Sequence, residues 1–131
     1  MLERGAAYSY NYLWAREADS AEESGRKNRA ACFLVRPSCQ PDLMYLFAIT
    51  SQEPAKHRVA EKLPSAECQR CGLREPAWLM LDEYNIAIDS ELHDFTSLNP
   101  LGNFSPNYLK HILKIAVEAA VTGRSRAILR S

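Results

Sequence analysis

The chain lacks an excess of charge of either sign. Its 131 residues carry 16 lysines and arginines against 16 aspartates and glutamates, so the formal net charge at pH 7 is zero. A protein without a net positive field does not attract a polyanion over its whole surface. We therefore expect that any site for nucleic acid is local and lies where basic side chains are concentrated.

Long apolar segments are also missing. Residues 1–5 hold no apolar stretch of the kind found in secretory signals, and no run approaches the roughly 20 apolar residues that a membrane helix requires. We predict a cytoplasmic protein without membrane association. A chain of 131 residues can bury a core of its own, so we predict a single domain over residues 1–131.

The chain shows no cluster of metal-ligating residues. Of its four cysteines, Cys32, Cys39, Cys68 and Cys71, only the last two have the close spacing of a zinc-binding pair. A structural zinc site usually needs a second pair, and the three histidines are scattered. We predict no metal and no cofactor, with the thiols reduced as in cytosolic proteins.

What the sequence does contain is a series of short strand patterns. Residues 7–14 alternate, with aromatic side chains on one face, which predicts a strand. Residues 15–28 are polar and predict a long mobile loop, with one helical turn as an alternative for part of it. Residues 30–35 and 43–49 are continuous apolar runs and predict two buried antiparallel strands. Further strands are predicted at 58–63, 77–82 and 85–88.

Two helices are predicted among these strands. Pro64 and Ser65 can begin a short helix that Gly72 ends. Ser105 is an N-cap and Pro106 a first-turn residue for a longer helix, whose predicted apolar stripe is Leu109, Ile112, Leu113, Ala116, Val117 and Ala120. We expect residues 124–131 to be a loose basic tail. Many short strands with one long helix near the C-terminus predict a mainly β fold, a small and strongly bent SH3-like barrel.

Basic side chains are concentrated where the loop enters the second strand. Arg26, Lys27 and Arg29 lie there, and an arginine held at a strand end can bind phosphate through its planar, permanently charged fork. Thr50 ends the next apolar run, where its hydroxyl can donate to a phosphate oxygen. The alternatives are a solvated group of charges for the arginines and ordinary turn chemistry for Thr50.

The aromatic face of the first strand has two interpretations. Tyr10, Tyr12 and Trp14 can stack unpaired bases beside the basic cluster, because aromatic faces bind bases with little sequence preference. The same stripe can instead be core. Trp78 lies inside an apolar run and is assigned to the core.

Taken in order, these motifs resemble the MazF/PemK family of toxin endoribonucleases. In that family a strand that begins after glycine leads into a variable loop, an Arg-Pro pair opens an apolar strand, and another apolar strand ends in a Pro-Ile-Thr-Ser-like motif. The matching segments here span nearly the whole chain: Gly5, residues 15–28, Arg29-Ala30, Ala48-Ile49-Thr50-Ser51, Gly72-Leu73, Ala77-Trp78-Leu79 and Leu101-Gly102.

The resemblance implies a CcdB/MazF-type barrel and metal-independent cleavage of single-stranded RNA, in which the ribose 2′-OH attacks the adjacent phosphate. It also implies a homodimer and neutralisation by a cognate antitoxin protein. It places Arg29 and Thr50 at the catalytic positions. We predict substrate contacts from Arg26, Lys27, Ser51, Gln52, Tyr12 and Trp14. The general base stays open among His57, Glu83, Glu22 and Glu23.

Two positions depart from the family pattern. Ala30 and Ala48 stand where the family usually has proline. Neither change removes a reactive group, but each removes a backbone restraint that would help to preorganise the site. The alternative function is therefore a catalytically weak or inactive module of the same fold, which binds nucleic acid or protein as a regulator.

Overall fold

The mainly β fold predicted from the sequence is confirmed. A computed structural model describes residues 2–19 and 28–130. The elements are, in chain order, β1 (Ala6–Asn11), α1 (Ala15–Asp19), β2 (Asn28–Val35), β3 (Leu43–Thr50), β4 (Ala60–Lys62), α2 (Ser65–Arg70), β5 (Trp78–Met80), β6 (Glu83–Ile88), β7 (Gly102–Asn103), α3 (Pro106–Val121) and β8 (Arg126–Leu129). Within these ranges no helix has both the length and the apolarity needed to cross a membrane.

The strands form one curled, half-barrel sheet. Its main path runs β4-β5-β3-β2-β1-β7, and β6 and β8 branch from β3. One edge of β3 pairs with β2, and its other edge is shared, with residues 43–46 pairing with β6 and residues 49–50 with β5. The sheet therefore divides along this edge of β3, with β6 beside the first half of the strand and β5 beside its end.

Both faces of the sheet are buried. Ala7, Cys32 and Phe47 belong to one apolar cluster, whereas their chain neighbours Tyr8 and Ala31 belong to another. A strand that is covered on both sides needs apolar residues at every position rather than at alternate ones. This explains why β2 and β3 read as continuous apolar runs in the sequence.

Helix α3 begins as predicted, and the first part of its predicted apolar stripe, from Leu109 to Ala116, packs on the core. The Ser105 hydroxyl accepts a hydrogen bond from the Tyr108 backbone N–H at 3.3 Å, and Pro106 occupies the first turn. The buried positions are Ile112, Ala116 and Ala119. The predicted stripe is wrong in its C-terminal half, since Val117 is 52% exposed and Ala120 is also exposed.

The predicted loose tail is wrong within the described residues. Residues 126–129 form β8, which pairs in parallel with β6. The next residue, Arg130, is buried: its guanidinium donates to the Asn11 carbonyl at 2.7 Å and to Asn85 Oδ1 at 2.9 Å, and it pairs with Asp94 at 3.0 Å. A basic segment that looks solvated in sequence is ordered by these partners, which come from distant parts of the chain.

Candidate active site

Strands β2 and β3 bring Arg29 and Thr50 to the same end of the sheet. Ala31 pairs with Ala48, so the same register continued by two residues places Arg29 opposite Thr50. Both side chains are half-buried and line a cavity of about 300 Å³. Its other lining residues are Trp14, Arg16, Ser51, Gln52, Glu53, Pro54, Ala55, Arg58 and Met80.

The Thr50 hydroxyl is held by the turn that follows β3. Its Oγ1 accepts a hydrogen bond from the backbone N–H of Gln52 at 3.2 Å. A hydroxyl that accepts in this way still has its own proton to donate. The Thr50 backbone is fixed in turn by its pairing with Trp78. Thr50 therefore carries a positioned donor at the wall of the cavity.

The Arg29 side chain lies against an aromatic ring. Its guanidinium carbon is 5.2 Å from the centroid of the Trp14 ring, and the guanidinium carbon of Arg16 lies 5.1 Å from the same centroid. Within residues 2–19 and 28–130, the Arg29 guanidinium makes no hydrogen bond or ion pair. Its charge is therefore not neutralised by a described carboxylate.

Buried polar groups fix the segment that carries Trp14. The side chain of Asn85 accepts from the Leu13 N–H at 2.9 Å and donates to the Leu13 carbonyl at 2.8 Å. On the other side of Trp14, the Ala15 N–H donates to Glu83 Oε2 at 3.0 Å. Asn85 and Glu83 both belong to β6, so the Trp14 segment is held to the sheet although it lies beyond the end of β1.

Arg58 lines the same cavity but is already paired. Its guanidinium donates to both oxygens of Asp82, each at 2.8 Å, and to Glu83 at 2.9 Å. The hydrogen bonds to Asp82 raise the pKa of Arg58. Burial alone would raise the pKa of Asp82, but the bonds from Arg58 and from the Val59 N–H outweigh it and lower that pKa. Arg58 therefore stabilises the fold through this ion pair, and its charge is already compensated by Asp82 and Glu83.

The structure separates the residues considered as general base. His57 lines a neighbouring cavity rather than this one. Glu83 is buried and its oxygens are taken by Arg58, Tyr12 and Ala15. Glu53, which sequence reasoning did not single out, lines the cavity. The available signal was its place three residues after Thr50, in the same turn.

Glu22 and Glu23, also considered as bases, lie outside the described residues, as do Arg26 and Lys27. Of the predicted substrate contacts, Ser51, Gln52 and Trp14 line the cavity together with Arg29 and Thr50.

Base stacking on Tyr12 is not possible in this structure. Its ring is 1% exposed and packs edge-on against Trp14, with the centroids 5.0 Å apart. Burial, followed by the nearby Glu83 carboxylate, raises the pKa of Tyr12 well above its usual value. Its hydroxyl therefore stays protonated and donates to Glu83 at 3.2 Å. Tyr10 is fully buried as well, so the core interpretation holds for both tyrosines.

The cysteines lie away from the cavity. Cys32, Cys68 and Cys71 are buried in the core and Cys39 is exposed, all as free thiols. Burial, with a smaller effect of Glu67, raises the pKa of Cys71 to about 11, so this thiol stays protonated and unreactive at neutral pH. Among the residues that the structure describes, no group of three or more histidines, cysteines or carboxylates is arranged to hold a metal ion.

Comparison with known proteins does not assign this chain to a family. No family model matches the sequence, and a search of curated proteins finds no significant match.

Proposed function

We propose that this protein is a metal-independent endoribonuclease of MazF/PemK type that cleaves single-stranded RNA. One observation carries the proposal. Arg29 and Thr50 come from adjacent strand ends and line one cavity of about 300 Å³, in which the Arg29 guanidinium has no described carboxylate partner. A cation and a hydroxyl donor on one wall suit a phosphate group.

The reaction needs little from the protein beyond position and charge. The ribose 2′-oxygen forms a bond to the adjacent phosphorus while the bond from phosphorus to the 5′-oxygen breaks. The products are a 2′,3′-cyclic phosphate and a 5′-hydroxyl. Arg29 would neutralise the charge that grows on the phosphoryl oxygens, and Thr50 would donate a hydrogen bond to one of them.

Two proton movements complete the balance of this step. The 2′-hydroxyl loses a proton and the leaving 5′-oxygen gains one. We assign the first transfer to Glu53, the carboxylate at the cavity, because Glu83 is occupied and His57 lies in the neighbouring cavity. The second proton can come from solvent, since Glu53, Ser51 and Gln52 are exposed at the rim.

The in-line geometry of this reaction favours single-stranded RNA as the substrate. The 2′-oxygen, the phosphorus and the leaving oxygen must lie in line, which an A-form duplex disfavours and a splayed single strand permits. We further propose a homodimer and an acidic antitoxin segment that covers the Arg29 cavity. A guanidinium without a described carboxylate partner supports the second of these, because an acidic side chain would supply one.

The test is cleavage of a single-stranded RNA by purified protein in EDTA. The wild-type protein should cut it and leave cyclic phosphate ends, and a 2′-deoxy substitution at the cut site should block the cut. Arg29→Ala and Thr50→Val should each lower the rate about 100-fold or more, equivalent to about 3 kcal/mol of lost transition-state stabilisation.

Arg36 offers a matched control on the same strand. It follows the other end of β2 and also lies over an aromatic ring, with its guanidinium carbon 5.1 Å from the Phe33 centroid. Arg36→Ala should leave cleavage nearly unchanged. If the wild-type protein binds RNA but does not cleave it, the alternative function, a catalytically inactive binding module, is favoured over the enzyme. Products with a 5′-phosphate would overturn the proposed attack by the 2′-OH.

A further inference from the structure

We propose that Trp14 is a positioning residue whose ring orients the Arg29 guanidinium toward the phosphate of the substrate. This inference rests on the proposed function. It replaces the prediction that Trp14 stacks a base. The ring is only 6% exposed and two guanidinium groups lie about 5 Å from its centroid, so it offers no open face to a base.

An aromatic ring such as that of Trp14 is suited to orienting the Arg29 guanidinium because it carries no negative charge. A guanidinium attracted to an aromatic face is held without losing its positive charge. Arg58, in the same cavity, shows the opposite case: Asp82 and Glu83 hold it and also neutralise it. Arg29 against Trp14 has no carboxylate partner among residues 2–19 and 28–130, so within this part of the chain its charge is left for a phosphate anion.

The ring must itself be rigid to orient anything. Its neighbours Leu13 and Ala15 are fixed by Asn85 and Glu83, as described above, and the Trp14 backbone N–H donates to Glu17 Oε1 at 3.0 Å. Arg29 is fixed on its own side by pairing with Tyr10 in β1. The ring and the guanidinium are therefore brought together by backbone that is anchored on both sides, at β6 and at β1.

Kinetics separate positioning from base stacking. Trp14→Leu should lower kcat about 10-fold with KM nearly unchanged, because the Arg29 charge remains but is no longer oriented. Trp14→Phe keeps an aromatic face and should recover most of the lost kcat. A stacking residue would instead raise KM and leave kcat largely intact.

Phe33→Leu provides the matched control. It also removes a ring from beneath an arginine and from the core, but at a distance from the cavity. It should lower stability without changing kcat. An equal loss of kcat in Phe33→Leu and Trp14→Leu would show that general loosening of the fold is responsible and would overturn the inference.

A double-mutant cycle tests the pair without reference to RNA cleavage. Trp14→Leu and Arg29→Met are made singly and together, and unfolding is measured in urea. The coupling should be about 5-fold in the unfolding equilibrium constant. If Trp14→Leu does not fold, Trp14→Phe takes its place in the cycle, with a smaller coupling expected.

The outcomes distinguish the two proposals. Absence of coupling overturns the inference whether or not RNA is cleaved. Loss of cleavage in Arg29→Ala together with unchanged kcat in Trp14→Leu overturns the inference and leaves the proposed function standing. A wild-type protein that cleaves no RNA overturns the proposed function, and the role of Trp14 in catalysis with it, even if the cycle shows coupling.

Discussion

Replacing Asn85 by alanine should cost this protein much of its stability. Asn85 is 0% exposed, and its side chain makes three hydrogen bonds: two with the Leu13 backbone and one accepted from Arg130. Its side-chain amide bonds both backbone groups of Leu13, as a neighbouring strand would, although Leu13 lies beyond the end of β1. Alanine would leave the Leu13 N–H and carbonyl without these buried partners.

The expected loss follows from the partners. Each of the two hydrogen bonds to Leu13 contributes about 1 kcal/mol, and a bond from a charged donor such as Arg130 contributes about 1.5–3 kcal/mol. The sum is about 4 kcal/mol, a large share of the roughly 5–15 kcal/mol that stabilises a typical domain.

Urea unfolding followed by circular dichroism measures this loss. With a typical m-value of about 1.5 kcal/mol/M, the midpoint of Asn85→Ala should fall by about 2.5 M. Asn103→Ala, an asparagine in β7 whose side chain is exposed, is the matched control and should change stability by less than about 0.5 kcal/mol. A loss below about 1.5 kcal/mol in Asn85→Ala would refute the reasoning from buried hydrogen bonds.

Three further predictions concern the site, the pH dependence and the assembly. Arg29→Lys should leave RNA cleavage as low as Arg29→Ala, because a point charge lacks the fork; near wild-type rates from the lysine variant would contradict this. The folded pKa of Asp82 lies below its usual value of 3.8, so its contribution to stability is complete above that value and is lost as pH falls through the folded pKa. Urea midpoints measured from about pH 2 to about pH 6 should therefore fall less steeply in Asp82→Asn than in wild type, and parallel curves would argue against a role for the Arg58 pair. Sedimentation should show a homodimer that Val117→Lys or Val121→Lys weakens, since both side chains are exposed on α3; a wild-type monomer at micromolar concentration would refute the dimer.

The sequence predicted those features that depend on local patterns. The Ser105-Pro106 helix start and the short helix ended by Gly72 were correct, and Gly72 has the positive φ of 60° expected of it. The strand predicted over residues 7–14 was correct up to Asn11, where β1 ends. Each of these depends on residues a few positions apart, which a sequence displays directly. The position of Arg29 near Thr50 followed from the resemblance to a family.

The features that sequence reasoning missed depend on distant contacts. Arg58 pairs with Asp82 and Glu83, more than 20 residues away, and no local pattern marks it as half-buried and paired. The same is true of β8, whose partner strand lies about 40 residues earlier in the chain. The buried face of α3 was misassigned only beyond Ala116, because alternative apolar stripes share Ile112 and Ala116 and only packing on the sheet decides between them.

The late position of β8 in the chain has a consequence for synthesis. Arg130 holds Asn11 and Asn85, and Asn85 fixes the segment that leads to Trp14. A ribosome makes β1 long before Arg130. The end of β1 at Asn11 therefore cannot form its hydrogen bond with Arg130 until that residue has been made. While β8 is still inside the ribosome, we expect the sheet to lack the contacts that fix the Trp14 segment, so the cavity would be incomplete. Any activity of this cavity would then begin only after residues 126–130 have left the exit tunnel.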